Sequence, residues 1–299
     1  MEIIRCNICG SKDYRILFEN KDRLHKIDAV LFNVVKCSNC GLVYLNPQPT
    51  PEELKRYYPE NYGPYQANSE TFKFSPLSIF LKGMRRLIKN KIKKPRIIDR
   101  SVKNYLDFGC GGGSHLERIK ILHPNWNLYG LDNNEVACKE TQEKGFKVFC
   151  GDVLEMDLPE SFFDIVNMKH VIEHLNDPKG TLEKINKTMK NGGEIIISTP
   201  NFNSWTAKLF RSHWYALDTP RHLFLFTIKT LTMLLHKTRF SIQRVEYSDD
   251  SKIAIKSFYY LRGRDDLEIS PITWRILNPF SKVLSLFGRT SIVTVRAKK

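Results

Sequence analysis

The fold is decided by one run of sequence, Leu106-Asp107-Phe108-Gly109-Cys110-Gly111-Gly112-Gly113. Its apolar start and glycine-rich end predict a short buried strand that passes through a tight loop into a helix. Glycines at alternate positions let the backbone turn sharply and approach a ligand where a β-carbon would clash. The run therefore predicts a binding loop for a nucleotide cofactor, with Asp107 at the end of the strand.

A second acid supports the same interpretation. Asp132 follows the next apolar strand, residues 128–131, at close to the separation of roughly 20 residues at which such folds place a carboxylate on ribose hydroxyls. The alternative is that the acid caps a helix, as Asp often does. Because strand, loop and second strand already form one β-α-β unit, the sequence favours ribose binding.

Further motifs follow the loop in a fixed order. They are Cys150-Gly151-Asp152-Val153, Leu158-Pro159, Phe163-Asp164-Ile165-Val166, Val171-Ile172-Glu173-His174-Leu175 and Lys190-Asn191-Gly192-Gly193. The loop itself lacks the G-x-G-x-x-G spacing of dinucleotide sites. In order and spacing, residues 100–250 resemble the class I S-adenosylmethionine-dependent methyltransferases. The resemblance implies an α/β fold, with a Rossmann-like seven-stranded methyltransferase sheet and helices on both faces.

The resemblance also implies a set of residues that bind S-adenosylmethionine. Amides of the glycine loop and of the next helix would receive the methionine carboxylate, since a helix N-terminus favours an anion. Asp132 would accept hydrogen bonds from the ribose, and Asp152 from the adenine amino group, although a capping role for Asp152 is equally compatible with the sequence. The predicted cofactor-binding residues are Asp107, Gly109, Gly111, Gly113, Asp132, Asn133, Asp152 and Val153.

Four of the seven cysteines form two matched pairs. Cys6-x-x-Cys9 and Cys37-x-x-Cys40 are each followed by glycine, which suits a tight turn that aims two thiolates at one ion, and predicts a tetrahedral zinc site. The 27 intervening residues exceed the usual spacing. Disulfides are the alternative, disfavoured in a reducing compartment. The other cysteines, Cys110, Cys138 and Cys150, are interpreted as small buried fillers.

The amino-terminal part resembles a narrower group of methyltransferases. The run Gly41-Leu42-Val43-Tyr44 and the proline-rich joint at residues 45–51 are similar to the zinc module of methyltransferases found in bacterial surface-sugar and deoxysugar pathways. Zinc would then be structural, because protein fills all four ligand positions. The predicted division is a zinc-ribbon-like module (1–48), a linker with a basic amphipathic helix (49–98), an S-adenosylmethionine-binding Rossmann-like domain (99–250), and a carboxy-terminal helical insertion with the last strand (251–299).

The charge is strongly basic. The sequence has 47 Lys and Arg against 32 Asp and Glu, a net charge of +15, which indicates an anionic partner: nucleic acid, an acidic lipid headgroup or an acidic glycan. Residues 71–98 contain no acid, and they predict either an amphipathic helix packed on the domain or one lying on an anionic membrane. With no long apolar run and no signal-peptide pattern, we expect a cytoplasmic protein in peripheral contact with the inner face of the membrane.

Two histidines are candidate catalytic residues. His174 ends a segment, residues 170–174, that matches the H-x-x-E-H zinc-protease pattern, but its place after a buried strand makes the match a coincidence. The resemblance implies that this segment lines the cofactor pocket, with His174 as a polar wall. His222 follows Asp218-Thr219-Pro220-Arg221 and could take a proton from an acceptor, because the pKa of histidine is near working pH. A histidine that is merely hydrogen-bonded in a loop is the alternative.

The sequence thus favours a methyltransferase acting on a small-molecule or glycan-type acceptor, with cell-surface polysaccharide biosynthesis as the pathway. An RNA methyltransferase is the first alternative, favoured by charge and zinc. However, the strand ending in Asn167-Met168-Lys169-His170 lacks both the Asn/Asp-Pro-Pro-aromatic tetrad and the Pro-Cys nucleophile of base methylators. Nucleic acid is therefore the less favoured partner, with ribose methylation of RNA left open. A non-catalytic cofactor- or nucleic-acid-binding protein is the second alternative.

Overall fold

The computed structural model describes residues 1–59, 101–264, 268–271, 273–275 and 290–299. The strands are β1 Tyr14–Asn20, β2 Phe32–Cys37, β3 Val43–Leu45, β4 Asn104–Phe108, β5 Asn127–Asp132, β6 Lys147–Cys150, β7 Phe163–Lys169, β8 Met189–Pro200, β9 Phe224–Leu225, β10 Ser241–Ser248 and β11 Ile292–Lys298. The α-helices are α1 Pro51–Lys55, α2 Ser114–Leu122, α3 Glu135–Glu143, α4 Pro178–Thr188, α5 Trp205–Phe210, α6 Ile228–Lys237 and α7 Ser251–Leu261.

A seven-stranded mixed sheet forms the centre of the molecule, as predicted. Its strand order is β10-β11-β8-β7-β4-β5-β6. Strands β8, β7, β4, β5 and β6 are parallel, whereas β11 is antiparallel to both β8 and β10. The chain leaves β4 for β5 on one side and later returns to β7 on the other. The carboxyl end of β4 is therefore the topological switch point, where open α/β sheets bind ligands.

The burial pattern explains why these segments form strands. Leu106 in β4 and Val166 in β7 are completely buried, as expected for central parallel strands that are covered on both faces. In the last strand, β11, buried and partly exposed residues alternate instead. Val293, Val295 and Ala297 are buried, while the residues between them are partly exposed, which is the period of two of a strand with one buried face.

A smaller sheet contains the amino-terminal strands in the order β1-β2-β3-β9. Its fourth strand comes from far along the chain. Val43 pairs with Leu225 and Tyr44 with Phe224, in antiparallel register. The rings of Tyr44 and Phe224 are also stacked, with centroids 6.2 Å apart. The amino-terminal sheet is thus joined to the main domain directly after His222.

One prediction about the cysteines was wrong. Cys138 in α3 and Cys150 at the end of β6 form a disulfide, with their Cα atoms 6.0 Å apart, rather than lying singly as fillers. The reason is tertiary: α3 packs against β6 and brings the two side chains together. Cys110 is a buried free thiol, in agreement with its prediction.

The predicted basic helix within 71–98 lies outside the described residues, as do residues 276–289 of the predicted carboxy-terminal helical insertion. Within the described residues, no helix is both long enough and apolar enough to cross a membrane.

Candidate active site

The glycine loop has the backbone geometry that its sequence predicts. Gly109, Gly111 and Gly113 have φ of 77°, 50° and 79°, in the left-handed region that favours glycine. A β-carbon at Gly109 would collide with Cγ2 of Val171, and one at Gly113 would lie 2.9 Å from Oγ1 of Thr141. The loop is therefore held close to its neighbours, and side chains at these positions would distort it.

Helix α2 begins directly after this loop with its first amides uncapped. Its N-cap residue, Gly113, provides no side-chain hydrogen bond, so the first-turn N–H groups remain available to an anion. A cavity of about 210 Å³ lies beside this turn, and it contains the basic side chains of Arg118 and Lys169 among its walls. Its lining residues are Asp107, Gly109, Cys110, Ser114, His115, Arg118 and Lys169. The arrangement suits a ligand with a carboxylate.

Asp132 is oriented by the backbone. It is 8% exposed, and its Oδ2 accepts from the amide of Gly111 at 2.9 Å while its Oδ1 accepts from the amide of Asn134 at 3.0 Å. Burial raises the pKa of this carboxyl, and the two amides partly offset that effect. Each oxygen of a carboxylate has a second lone pair, so Asp132 can still accept from two ribose hydroxyls. Asn133 beside it is exposed.

Asp107 lies deeper in the same site. It is 3% exposed and accepts from Nδ2 of Asn167 at 2.9 Å. Burial raises its pKa to about 7, while Asn167 and Lys169 act in the opposite direction. A cationic group bound nearby would favour the ionised form of Asp107.

This burial predicts a pH-dependent stability. Between the ordinary pKa of 3.8 and the folded value of about 7, the folded protein holds a proton that the unfolded chain has lost, so stability falls as the pH rises through that window. Asp107→Asn cannot ionise and keeps the hydrogen bond from Asn167. We expect the melting temperature of Asp107→Asn minus that of the unmodified protein to be larger at about pH 8 than at about pH 5. A difference in melting temperature that does not vary with pH would contradict this assignment.

Asp152 and Val153 follow β6 beside Asp132. The amide of Gly151 donates to the carbonyl of Asp132 at 2.9 Å, which holds this turn at the same edge of the sheet. Asp152 is exposed and accepts from the amide of Leu154 at 2.8 Å, and Val153 is buried. This hydrogen bond from Leu154 is of the type that caps a turn, and it uses Oδ1 of Asp152. The adenine-binding role of the two residues stays a prediction.

The four amino-terminal cysteines converge. Sγ of Cys6 and Sγ of Cys40 are 3.4 Å apart, and Sγ of Cys9 and Sγ of Cys37 are 3.5 Å apart; all four sulfurs lie within 4.8 Å of one another. Zn–S bonds of about 2.3 Å in a tetrahedron require sulfur separations of about 3.8 Å. The donor set and its dimensions therefore fit a tetrahedral metal ion.

Two equivalent turns present these thiols. The carbonyl of Cys6 accepts from the amide of Gly10 at 2.8 Å, and that of Cys37 accepts from Gly41 at 3.1 Å. Both glycines have positive φ, 74° and 82°. Hydrogen bonds from neighbouring groups lower the pKa of Cys37 to about 7 in spite of its burial, whereas burial raises that of Cys40 to about 11. Crowded thiols of this kind are stabilised by an ion that binds their ionised forms.

The two candidate histidines lie against each other, with ring centroids 4.6 Å apart. His174 belongs to a turn and not to the long helix of a zinc protease. The carbonyl of Glu173 accepts from the amides of Leu223 and Phe224 at 2.8 and 3.2 Å, and these bonds bring the two histidine segments together. Burial lowers the pKa of His174 to about 4, and His222 adds to this effect. His174 is therefore neutral at neutral pH.

Sequence reasoning missed a buried ionic network beside His222. The side chain of Arg221 is 0% exposed, and its Nη2 donates to Oδ1 of both Asp22 and Asp218 at 2.7 Å. Its Nη1 donates to the carbonyl of Tyr57 at 3.0 Å. The network ties the amino-terminal region to the His222 loop. No local pattern could have revealed it, because Asp22 is 199 positions away.

The methyltransferase domain family matches residues 80–245, which is more than half of the chain. The chain belongs to this family, which confirms the predicted methyltransferase class; the narrower surface-sugar and deoxysugar type stays a prediction.

Relatives among characterised sequences are distant and partial. Ubiquinone biosynthesis O-methyltransferase of Pseudomonas syringae pv. tomato is 31% identical over 108 residues, 34% of this chain and 46% of that protein. The enzyme of the same name from Erwinia tasmaniensis is 29% identical over 131 residues, 40% of this chain and 52% of that protein. The chain thus spans about half the length of these relatives.

One of two similar solved structures shows the same fold. A chain of the Haloferax volcanii complex of the Trm112 methyltransferase activator with a methyltransferase superposes with a TM-score of 0.50 at 15% identity, over 73% of this chain and 92% of that one. A SAM-dependent methyltransferase from Archaeoglobus fulgidus gives a TM-score of 0.46 at 21% identity, over 75% of this chain and 100% of that one.

Proposed function

We propose that this protein transfers a methyl group from S-adenosylmethionine to a small-molecule or glycan-type acceptor. The observation that carries the proposal is the site at the switch point of the sheet. There the uncapped amides of α2 adjoin a cavity of about 210 Å³, and the buried carboxylate of Asp132 adjoins the glycine loop. One element suits the carboxylate of the cofactor and the other its ribose.

The chain's contribution to the reaction is positioning. When bound, the cofactor supplies an electrophilic methyl group on its sulfonium. The glycine loop and Asp132 would hold its methionine carboxylate and its ribose in a fixed orientation, and the walls of the cavity would exclude water, so that an acceptor atom is held in line with the methyl group. A basic residue is needed only when the acceptor must lose a proton early.

His222 is the residue that we assign as this base. Its Nδ1 lies 2.9 Å from the carbonyl of Ala216, and a carbonyl can only accept, so the proton resides on Nδ1 and Nε2 is free to take another. Oδ2 of Asp218 lies 4.0 Å from Nε2 and would stabilise the charged imidazole. His174 would be neutral, so it would not repel a protonated His222 as a cationic side chain would.

The amino-terminal cysteines, in this proposal, hold a structural zinc ion. All four tetrahedral positions would be filled by Cys6, Cys9, Cys37 and Cys40, which leaves none for a substrate. The ion would fold the sheet that contains β9 and would thus fix the loop carrying His222. The resemblance of this module to the zinc module of surface-sugar and deoxysugar methyltransferases supports cell-surface polysaccharide biosynthesis as the pathway.

The acceptor class is tested by offering acceptors in parallel. Purified full-length protein and methyl-labelled S-adenosylmethionine would be incubated with nucleotide-linked sugars, with short surface glycans and with structured RNA. Label on a sugar or glycan is the expected result. Label on RNA alone would favour the RNA methyltransferase, and no transfer to any acceptor offered would count against the glycan-type assignment.

The net charge of +15 gives a separate prediction about partners. We expect weak sedimentation with vesicles that contain acidic lipids, and release by salt, because screening shortens the Debye length to about 8 Å at 0.15 M. Vesicles of neutral lipid are the control. Nanomolar, sequence-dependent RNA binding at about 0.15 M salt would instead favour an RNA methyltransferase.

A further inference from the structure

Glu173, His174 and His222 form a second group of metal-binding side chains, separate from the cysteines. One ligand atom from each lies within 4.8 Å of the other two. We propose that this histidine–glutamate cluster binds one divalent metal ion of the first transition row. Two imidazole nitrogens and one carboxylate are a donor set that such ions accept, with at least one position left open.

Both imidazoles are oriented as metal ligands usually are. Nδ1 of His222 is 2.9 Å from the carbonyl of Ala216, and Nδ1 of His174 is 3.1 Å from the carbonyl of Arg221. Each carbonyl requires a proton on Nδ1, which leaves the lone pair of Nε2 for an ion. The hydroxyl oxygen of Tyr58, 3.0 Å from Nδ1 of His174, can accept the same proton. Metal-binding histidines typically donate their other N–H to a carbonyl or carboxylate, and this fixes both the tautomer and the ring plane.

The carboxylate of Glu173 is held in the same way. It is 1% exposed, and its Oε2 accepts from Oγ1 of Thr199 at 2.9 Å while its Oε1 lies 3.2 Å from Nδ1 of His170. Hydrogen-bonded carboxylate ligands of this kind are oriented before the ion binds.

The local charge also favours a cation. In the described part of the chain, the ion pair of Glu173 is with His170, which is charged only when protonated. Arg221 is near, but its guanidinium pairs with Asp22 and Asp218. A buried carboxylate without a permanent cationic partner is costly, and a divalent ion would compensate it.

The donor set predicts which ions bind. Magnesium and calcium prefer oxygen ligands, whereas imidazole suits zinc, cobalt, iron and related ions. The cysteine cluster, with four soft thiolates, is chemically different, so cobalt at the two sites has different spectra. Cobalt bound by nitrogen and oxygen has ligand-field bands in the visible without the thiolate-to-metal charge-transfer bands of the near ultraviolet.

The position of the cluster connects it with the glycine loop. Val171, two residues before Glu173, is the side chain that leaves no room for a β-carbon at Gly109. An ion in the cluster would occupy Nε2 of His222, so this imidazole would no longer serve as the base. An acceptor hydroxyl bound to the ion would instead have a lowered pKa and would lose its proton to solvent water. This use of the ion rests on the proposed function, whereas metal binding itself does not.

The test is a titration of the purified full-length protein with Co²⁺ in the absence of S-adenosylmethionine and acceptor. The expected result is one bound equivalent of Co²⁺ whose spectrum shows nitrogen and oxygen ligands, in addition to any Co²⁺ that the cysteines bind. Glu173→Gln, His174→Gln and His222→Gln should each weaken this equivalent by about tenfold or more. His236→Ala, which removes an exposed histidine at the end of α6, is the matched control and should have no effect.

Absence of the nitrogen–oxygen spectrum in the unmodified protein would overturn the proposal, with no variant needed. Its persistence at full affinity in a correctly folded His222→Gln would do the same. Because the titration measures metal alone, either failure leaves methyl transfer untouched. Conversely, cobalt binding without any methyl transfer would retain the metal site and reject only the proposed activity.

Discussion

Asp132→Ala is expected to weaken binding of S-adenosylmethionine by about 1.5–3 kcal/mol, roughly 10- to 150-fold, because hydrogen bonds to a charged group have this strength. The substitution leaves the ribose hydroxyls without their acceptor. It also removes the acceptor for the amides of Gly111 and Asn134, at 2.9 and 3.0 Å. Isothermal calorimetry on the variant and on the unmodified protein measures the ratio of the two affinities.

Two controls make this result specific. Glu135→Ala removes an exposed acid from the first turn of α3 and should leave the affinity unchanged. Asp132→Asn keeps the side-chain size and one acceptor oxygen, so it should fold even where alanine disturbs the loop, and should still bind more weakly. Equal affinity in the unmodified protein and a folded Asp132→Asn would reject the ribose-binding role.

Cys37→Ser is expected to have the largest effect on stability. Structural zinc contributes apparent binding free energies of about 10–16 kcal/mol in small metal-folded modules, and loss of one thiolate removes much of that. The sheet that the ion would fold includes β9, which pairs with β3. We therefore expect loss of zinc, a lower melting temperature, and disturbance of the His222 loop. Elemental analysis and thermal melts measure the first two.

The matched variant is Cys110→Ser, which replaces a buried free thiol away from the cluster. It should keep one tightly held zinc ion per chain, whatever its melting temperature. Loss of metal in Cys110→Ser but not in Cys37→Ser, or no metal in the unmodified protein, would show that the four cysteines do not form the site.

Features that depend on neighbouring residues could be predicted from the sequence. The run from Leu106 to Gly113 specifies a strand, a loop and a helix through local burial and backbone freedom. The later strands of the seven-stranded sheet were predicted through the resemblance of residues 100–250 to the methyltransferases. The two cysteine pairs could be recognised in the sequence because each pair has the same spacing and is followed by glycine.

Features that depend on tertiary packing could not be predicted. The pairing of β9 with β3, the contacts of Arg221 with Asp22, and the disulfide between Cys138 and Cys150 each join segments that no sequence pattern links. The candidate histidines were selected singly, each from its chemistry and from the place of its segment in the family. That His174 and His222 lie together follows from the bonds between Glu173 and the start of β9.

Binding of S-adenosylmethionine by the glycine loop and Asp132 can be measured by a calorimetric titration of the unmodified protein. We expect saturable binding of one molecule per chain, competed by S-adenosylhomocysteine, which shares the carboxylate and the ribose. A folded protein that binds neither compound would show that the glycine loop and Asp132 do not form this site.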